Sequence, residues 1–170
     1  MRAPLPDSGF IRILHLAIKK GAMPVFQTVA EITINCPIEE VFAFVAENQN
    51  DPYWCVPVVE TTRIAGTAPG VGARYTFASK VGLMKLRGEF EITGFEAPEA
   101  IHWTGESSIV RFSGQYRLAS TVAGTRLEER TTFEPKGLLK ILQAIMIPQY
   151  TTTYETQLQR LKHLLEGHPD

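Results

Sequence analysis

The fold is decided at residues 26–45, which read FQTVAEITINCPIEEVFAFV. From Phe26 to Ile34 the even-numbered side chains are mostly apolar and the odd-numbered ones mostly polar, and this period of two predicts a β-strand. Pro37 and two glutamates then precede apolar residues at helical spacing, as expected for the positive end of a helix. The apolar positions are Ile38, Val41, Phe42 and Val45. The sequence therefore predicts a strand that leads directly into a short helix.

After a second short helix, predicted at Asp51–Trp54, the chain alternates between apolar and polar residues to about residue 134. Half-polar alternation is typical of an antiparallel sheet with one solvated face, and the short connections predict a meander. Together with the first strand this gives seven strands. The six later ones are predicted at Val58–Ile64, Ala73–Val81, Met84–Phe95, Ile101–Ser107, Phe112–Leu118 and Leu127–Phe133.

A long C-terminal helix is predicted from Gly137 to about Glu166, with a kink or break near Pro148. One stripe of this helix stays apolar along its length, and a sheet can cover it only by curving around it. The predicted fold class is therefore α+β. It is a helix-grip in which a curved, seven-stranded antiparallel sheet wraps around the C-terminal helix, with two short helices after the first strand.

The length of 170 residues fits one domain, which we place at residues 23–170. Residues 1–22 differ from the rest and are interpreted as a flexible N-terminal extension. A second interpretation stays open for residues 10–20, which could form a short basic helix that touches a membrane surface. The chain contains no run of 18 uncharged apolar residues, so no transmembrane helix is expected.

The composition excludes several classes of function. The 17 basic and 18 acidic residues leave no overall attraction for nucleic acid. Cys36 and Cys55 show neither CxxC spacing nor a nearby histidine pair, so neither a metal site nor a cofactor is expected. Two reduced thiols are typical of a cytoplasmic protein, although a single disulfide would fit a secreted one. No nucleophilic triad or dinucleotide fingerprint emerges.

Three glycines fall on the face of the sheet that carries the large aromatic residues. They are Gly88, Gly105 and Gly114, and a glycine within a strand often marks a bend or the close approach of another group. One interpretation is tight packing of the helix on the sheet with no space between them. The other is an apolar cavity with a few polar groups, which is the usual form of a small-molecule site.

The candidate ligand-binding residues are aromatic side chains on the inward face, together with one acid. Two tyrosines one helical turn apart on the C-terminal helix could place hydroxyl groups in the cavity, or their only role could be packing in the hydrophobic core. The full candidate set is Tyr75, Phe77, Phe90, Trp103, Tyr116, Glu129, Tyr150 and Tyr154.

Glu129 is the unusual member because its position in the alternation places it on the inward face with Leu127 and Phe133. A buried carboxylate is costly unless it is paired or protonated. It would contact a ligand, act as a general acid or base, bond to a structural partner such as a tyrosine hydroxyl, or turn outward through a shift in register. The sequence assigns no catalytic residue.

The order of elements resembles the START-like, Bet v 1-like superfamily, in particular its polyketide cyclase/dehydrase and lipid-transport branch, also called SRPBCC. The resemblance covers residues 25–166 and is carried by Ile32–Phe42, Asn50–Trp54, Gly70–Tyr75 and Phe133–Gly137. It implies a helix-grip fold that holds hydrophobic ligands between sheet and helix. The family has no universal catalytic motif, so no catalytic residue follows from the resemblance.

The expected function is therefore binding of a hydrophobic small molecule, such as a lipid, an isoprenoid or a polyketide, between the sheet and the C-terminal helix. One alternative is a cyclase or dehydratase that uses polar groups of the cavity for proton transfer. Another is a protein-interaction module, which an outward apolar stripe on the C-terminal helix would favour. The sequence leaves the ligand and the oligomeric state open.

Overall fold

The computed structural model describes residues 11–14, 26–81, 84–137, 153–154 and 156–167. Between the second and third strands lie helix α1 (Ile38–Ala46), a 3-10 turn (Asn48–Asn50) and helix α2 (Asp51–Trp54). Helix α3 is described at 153–154 and 156–165. The strands are β1 (Ile11–Leu14), β2 (Phe26–Ile34), β3 (Val58–Ala65), β4 (Arg74–Val81), β5 (Met84–Glu96), β6 (Ala100–Ser107), β7 (Val110–Thr121) and β8 (Gly124–Pro135).

All strands belong to one antiparallel sheet in the order β1-β2-β8-β7-β6-β5-β4-β3. Strands β3 to β8 follow each other as a meander, and β2 closes onto β8 with Phe26 opposite Phe133 and Ile34 opposite Thr125. The seven predicted strands and the two short helices after the first of them are confirmed. The fold is the predicted α+β helix-grip.

Strand β1 is an addition to the predicted seven. Its residue Ile11 lies opposite Ala30 of β2, and Leu14 lies opposite Gln27. The strand falls within the segment predicted as an N-terminal extension, and the remainder of that segment lies outside the described residues. The domain boundary at residue 23 and membrane contact through residues 10–20 stay predictions. Within the described ranges, every helix is too short or too polar to span a bilayer.

Helix α1 forms where the sequence predicts it. The carbonyl of Pro37 accepts hydrogen bonds from the backbone N–H groups of Glu40 and Val41 at 3.1 and 3.2 Å, which closes the first turn. Glu39 and Glu40 complement the positive end of the helix. The inward face of the helix packs against β7 and β8. The buried side chains on that face are Val41, Phe42, Val45 and Ala46.

Helix α3 lies on the concave face of the sheet, and its C-terminal end is tied to the junction between β2 and α1. The Cys36 thiol donates to the carbonyl of Leu165 at 3.2 Å, and Glu166 Oε1 accepts from the backbone N–H of Asn35 at 2.7 Å. Lys162 Nζ donates to the carbonyl of Thr33 at 2.6 Å. The predicted start of this helix at Gly137 and its kink at Pro148 concern residues 138–152, which lie outside the described residues.

Candidate functional site

A cavity of about 190 Å³ lies between the concave face of the sheet and the helices α2 and α3. Most of its wall is apolar and comes from strands β4 to β8. The aromatic side chains of this wall, which we call the aromatic wall, are Phe77, Phe90, Trp103, Phe112 and Phe133.

The inward glycines lie beneath the rings of the aromatic wall. A Cβ atom added at Gly88 would come within 2.6 Å of the Phe77 ring, and one added at Gly105 would come within 2.7 Å of the Phe112 ring. At Gly114 an added Cβ would overlap the Trp103 ring. The rings, together with backbone carbonyl oxygens of Glu106 beside Gly88 and of Glu89 beside Gly105, therefore occupy the space that a side chain would fill at these positions. The glycines let the aromatic residues lie close to the sheet, and the cavity opens above them.

At the other end the cavity is lined by polar groups from separate parts of the chain. We call this part of the cavity the polar end. It combines residues of the 3-10 turn, α2, β8 and α3 with the residue that follows α2. Its members are Asn48, Asp51, Cys55, Glu129 and Gln157, with the hydroxyl-bearing Tyr116, Thr131 and Tyr154 beside them. Local sequence alone does not bring these residues together, because the sheet and the helices have to assemble first.

Glu129 faces the cavity from β8 and is only 4% exposed. Gln157 Nε2 donates to Glu129 Oε2 at 2.7 Å, and the Cys55 thiol points to Gln157 Oε1 at 3.6 Å. Burial raises the pKa of Glu129 from 4.5 to about 8, although the hydrogen bond from Gln157 works in the opposite direction. The carboxyl group therefore carries its proton over much of the neutral range.

Asp51 is the second acid of the polar end and is 9% exposed. Burial raises its pKa well above 3.8, the neighbouring Asn48 side chain lowers it in part, and the charges of Glu129 and Glu47 raise it further. One oxygen of Asp51, Oδ1, has no hydrogen-bond partner among the described residues, and the same is true of Asn48 Oδ1. A buried polar atom without a partner is costly, so a hydrogen-bond donor placed beside either oxygen would stabilise this end of the cavity.

The remaining titratable groups at this end are held in their neutral forms. Burial raises the pKa of Tyr116, Tyr154 and the Cys55 thiol well above their ordinary values, and the charge of Glu129 adds to the effect on each. In the described part of the chain, no group of three His, Cys, Asp or Glu residues is arranged to hold a metal ion.

The structure brings six of the eight sequence-predicted residues to the cavity surface. These are Phe77, Phe90, Trp103, Tyr116, Glu129 and Tyr154. Tyr75 is fully buried behind the wall, where its ring stacks on Phe90 at 5.0 Å and its hydroxyl accepts a hydrogen bond from Arg63 Nε at 3.2 Å. Tyr150 lies outside the described residues.

At the polar end, sequence reasoning missed Asn48, Asp51, Cys55 and Gln157, and in the aromatic wall it left out Phe112 and Phe133. Helix α2 is four residues long, too short for a hydrophobic period to show that Asp51 faces inward. Gln157 had a usable signal, because it follows Tyr154 by three residues and Leu161 follows it by four. That spacing places the amide on the buried face of α3.

The family described as polyketide cyclase/dehydrase and lipid transport matches residues 25–166. The chain belongs to this family. The resemblance inferred from the sequence is therefore confirmed. No protein of curated function matches the sequence significantly.

Several solved structures superpose over most of the chain. The protein TTHA0849 from Thermus thermophilus is 17% identical, with a TM-score of 0.72, and the match covers 85% of this chain and 99% of that one. A STAR-related lipid transfer protein from Xanthomonas axonopodis is 13% identical, with a TM-score of 0.71 and coverage of 96% and 97%.

A third similar structure is that of the Zhui aromatase/cyclase from Streptomyces sp. R1128. It is 13% identical to this chain, with a TM-score of 0.67, and the match covers 84% of this chain and 94% of that one. At such identities these likenesses show a shared fold. Their names span lipid transfer and cyclisation, so the fold by itself does not select between the two.

Proposed function

We propose that this protein binds a hydrophobic small molecule of lipid, isoprenoid or polyketide type in the cavity between the sheet and α3. The observation that carries the proposal is the amphipathic cavity, with an aromatic wall along most of it and polar groups at one end. A mostly apolar pocket with a few convergent polar groups is the usual form of a ligand site. Membership of a family described by lipid transport and polyketide cyclisation supports the same conclusion.

The volume limits what the cavity can enclose. It measures about 190 Å³, slightly more than the engineered cavity of roughly 150 Å³ that holds benzene in another protein. It is smaller than the roughly 300–1,000 Å³ of pockets for drug-sized ligands. We therefore expect one or two rings of a compact ligand, or the terminal part of a longer one, to occupy it.

The test is to fill the cavity and measure binding. Ser79 lines the cavity from the inner face of β4, whereas Ser113 of β7 is exposed on the outer face. Ser79→Phe should abolish binding of 2-naphthalenemethanol in isothermal titration calorimetry, and the matched Ser113→Phe should leave it unchanged. Equal binding by both variants, each shown to be folded by circular dichroism, would refute the proposal. Native mass spectrometry of protein from its own host would identify the resident molecule.

A second candidate is a cyclase or dehydratase, and one observation favours it. The pKa of Glu129 near 8 gives the cavity a carboxyl group able to donate or accept a proton close to neutral pH. A proton-transfer function predicts that the protein accelerates exchange of the α-hydrogens of 2-tetralone with deuterium oxide, measured by NMR. Glu129→Gln should remove the acceleration. If the wild-type protein does not raise the exchange rate above that of the buffer, binding remains the only proposed function.

No observation on the described residues favours the protein-interaction alternative. The exposed positions of α3 are mostly polar, with Leu164 as the apolar exception, and they include Thr156, Gln159, Arg160 and His163.

Both cysteines are free thiols. A cytoplasmic location and the lack of a nucleic-acid partner stay predictions.

A further inference from the structure

The cavity changes character along strand β8. Phe133 lies opposite Phe112 in the aromatic wall, whereas Glu129 lies opposite Tyr116 at the polar end. Four residues of strand separate the acidic position from the aromatic one, a distance of about 13 Å at roughly 3.3 Å per residue. A ligand that spans this distance has to be apolar at one end and polar at the other.

The described residues of the polar end include two carboxyl groups and no basic side chain. Among the described residues that line the cavity there is no lysine, arginine or histidine. Arg63 is engaged elsewhere, since its Nη2 contacts both carboxylate oxygens of Glu47, at 2.7 and 2.6 Å, and its Nε donates to Tyr75. A carboxylate or phosphate of a ligand would be buried at this end without an opposite charge among these residues to pair with it.

The atoms that lack partners specify the ligand group more closely. Asn48 is 7% exposed and Asp51 is 9% exposed, both residues line the cavity, and the buried Oδ1 atom of each has no hydrogen-bond partner in the described part of the chain. The Asn48 oxygen can only accept a hydrogen bond, and Asp51 can only accept once a neighbouring positive charge has favoured its ionised form. The missing partner is therefore a donor.

On the premise of the proposed function, we propose that the ligand is an apolar amine whose protonated nitrogen lies beside Asp51 and Asn48, with its hydrocarbon part against the aromatic wall. An ammonium group offers several donors to the oxygens that lack partners. Burial favours the protonated forms of both carboxyl groups in the empty cavity, and a positive charge bound beside them would favour their ionised forms and pair with them. A neutral hydroxyl group would offer one donor and no charge, so it is the competing outcome.

The experiment compares three probes that share one ring system: 2-naphthylmethylamine, 2-naphthalenemethanol and 2-naphthoic acid. Isothermal titration calorimetry at pH 7 should show the amine binding about tenfold more tightly than the alcohol, because a hydrogen bond between charged groups exceeds a neutral one by about that factor. The naphthoate should bind more weakly than both.

Three variants assign the preference to the polar end. Asp51→Asn and Glu129→Gln keep the shape of each side chain and remove its ability to ionise beside the ammonium group, so each should lower the preference for the amine over the alcohol about tenfold. Glu60→Gln is the control, because Glu60 is exposed on β3 away from the cavity. Thermal unfolding confirms that each variant is folded before it is titrated.

The outcomes separate this inference from the proposed function. Equal affinity for amine and alcohol, or an amine preference that survives both Asp51→Asn and Glu129→Gln, overturns the inference and leaves a hydrophobic binding site intact. Tighter binding of the naphthoate overturns the inference as well. Failure of all three probes to bind the wild type refutes both the inference and the proposed function for ligands of this size.

Discussion

The two ends of the cavity are built in different ways. The aromatic wall draws its residues from successive strands of a meander, where each side chain needs only its place in the alternation to face inward. The polar end joins Asp51 of α2, Glu129 of β8 and Gln157 of α3, which are separated by up to about a hundred residues. One end is local in origin and the other depends on how the whole domain assembles.

Because the two ends are built differently, their stability should respond to different changes. Rings that cover glycines pack closely, so the aromatic wall should respond to changes in volume. The polar end buries groups that favour their neutral forms, so it should respond to changes in pH. Four variants test this division, beginning with the largest expected effect.

The first variant is Glu129→Gln, studied as a function of pH. The folded-state pKa of Glu129, about 8, lies above its unfolded value, so the folded state holds a proton that the unfolded state has released between these two values. The wild type should therefore lose stability as pH rises, at roughly 1.4 kcal/mol per pH unit from this group. Relative to Glu129→Gln, the loss between pH 5 and pH 8 should be roughly 3–4 kcal/mol.

The measurement is urea denaturation of both proteins at pH 5, 6, 7 and 8. The groups that face Glu129 are Asp51 and Cys55 from the α2 region, Tyr116 from β7 and Tyr154 from α3. Asp51 also has a raised pKa, so Glu129→Gln should keep a smaller slope of the same sign. Parallel curves for wild type and variant would show that Glu129 is not protonated in the folded state.

The second variant, Gly114→Ala, tests the aromatic wall. Its new methyl group would overlap the Trp103 ring, and the ring would have to move into the cavity. Overpacking of this kind costs about 2–3 kcal/mol. Urea denaturation should show the loss at every pH, and naphthalenemethanol should bind more weakly. Ser113→Ala, on the exposed side of the same strand, is the control and should change stability by less than about 0.5 kcal/mol.

A loss of stability in Gly114→Ala that depended on pH would contradict the distinction between an end sensitive to volume and an end sensitive to pH. So would a stability equal to that of the wild type, since it would mean that Trp103 does not cover the glycine in solution.

The third variant is Gln157→Leu, which removes the amide that joins Cys55 to Glu129. The two partners lose their hydrogen bonds while buried, at a cost of about 2 kcal/mol. Since the bond from Gln157 lowers the pKa of Glu129, the variant should also move that pKa upward and extend the pH-dependent loss. The matched Gln159→Leu, on the exposed face of α3, should do neither.

The same division explains what the sequence could predict. Alternation from Phe26 onward located seven strands and their inward faces, because one face of each strand is buried and the other is solvated. It also identified Glu129 as an inward acid. It could not predict Asp51 or Cys55, since a four-residue helix and the loop after it carry no period, nor that Tyr75 lies behind the wall. The alternation predicts on which face of the sheet a side chain lies. Whether that side chain contacts the cavity depends on which neighbouring side chains lie between it and the cavity.

The fourth variant, Tyr75→Phe, has the smallest expected effect and tests that last distinction. The Tyr75 ring stacks on Phe90, and its hydroxyl accepts from Arg63 on the side away from the cavity. Loss of the hydroxyl removes one hydrogen bond and should cost about 1 kcal/mol in urea denaturation. Naphthalenemethanol should bind with unchanged affinity, because the ring that supports Phe90 is kept. A change in affinity beyond about threefold, with stability unaltered, would instead place the Tyr75 hydroxyl at the ligand and make it part of the site.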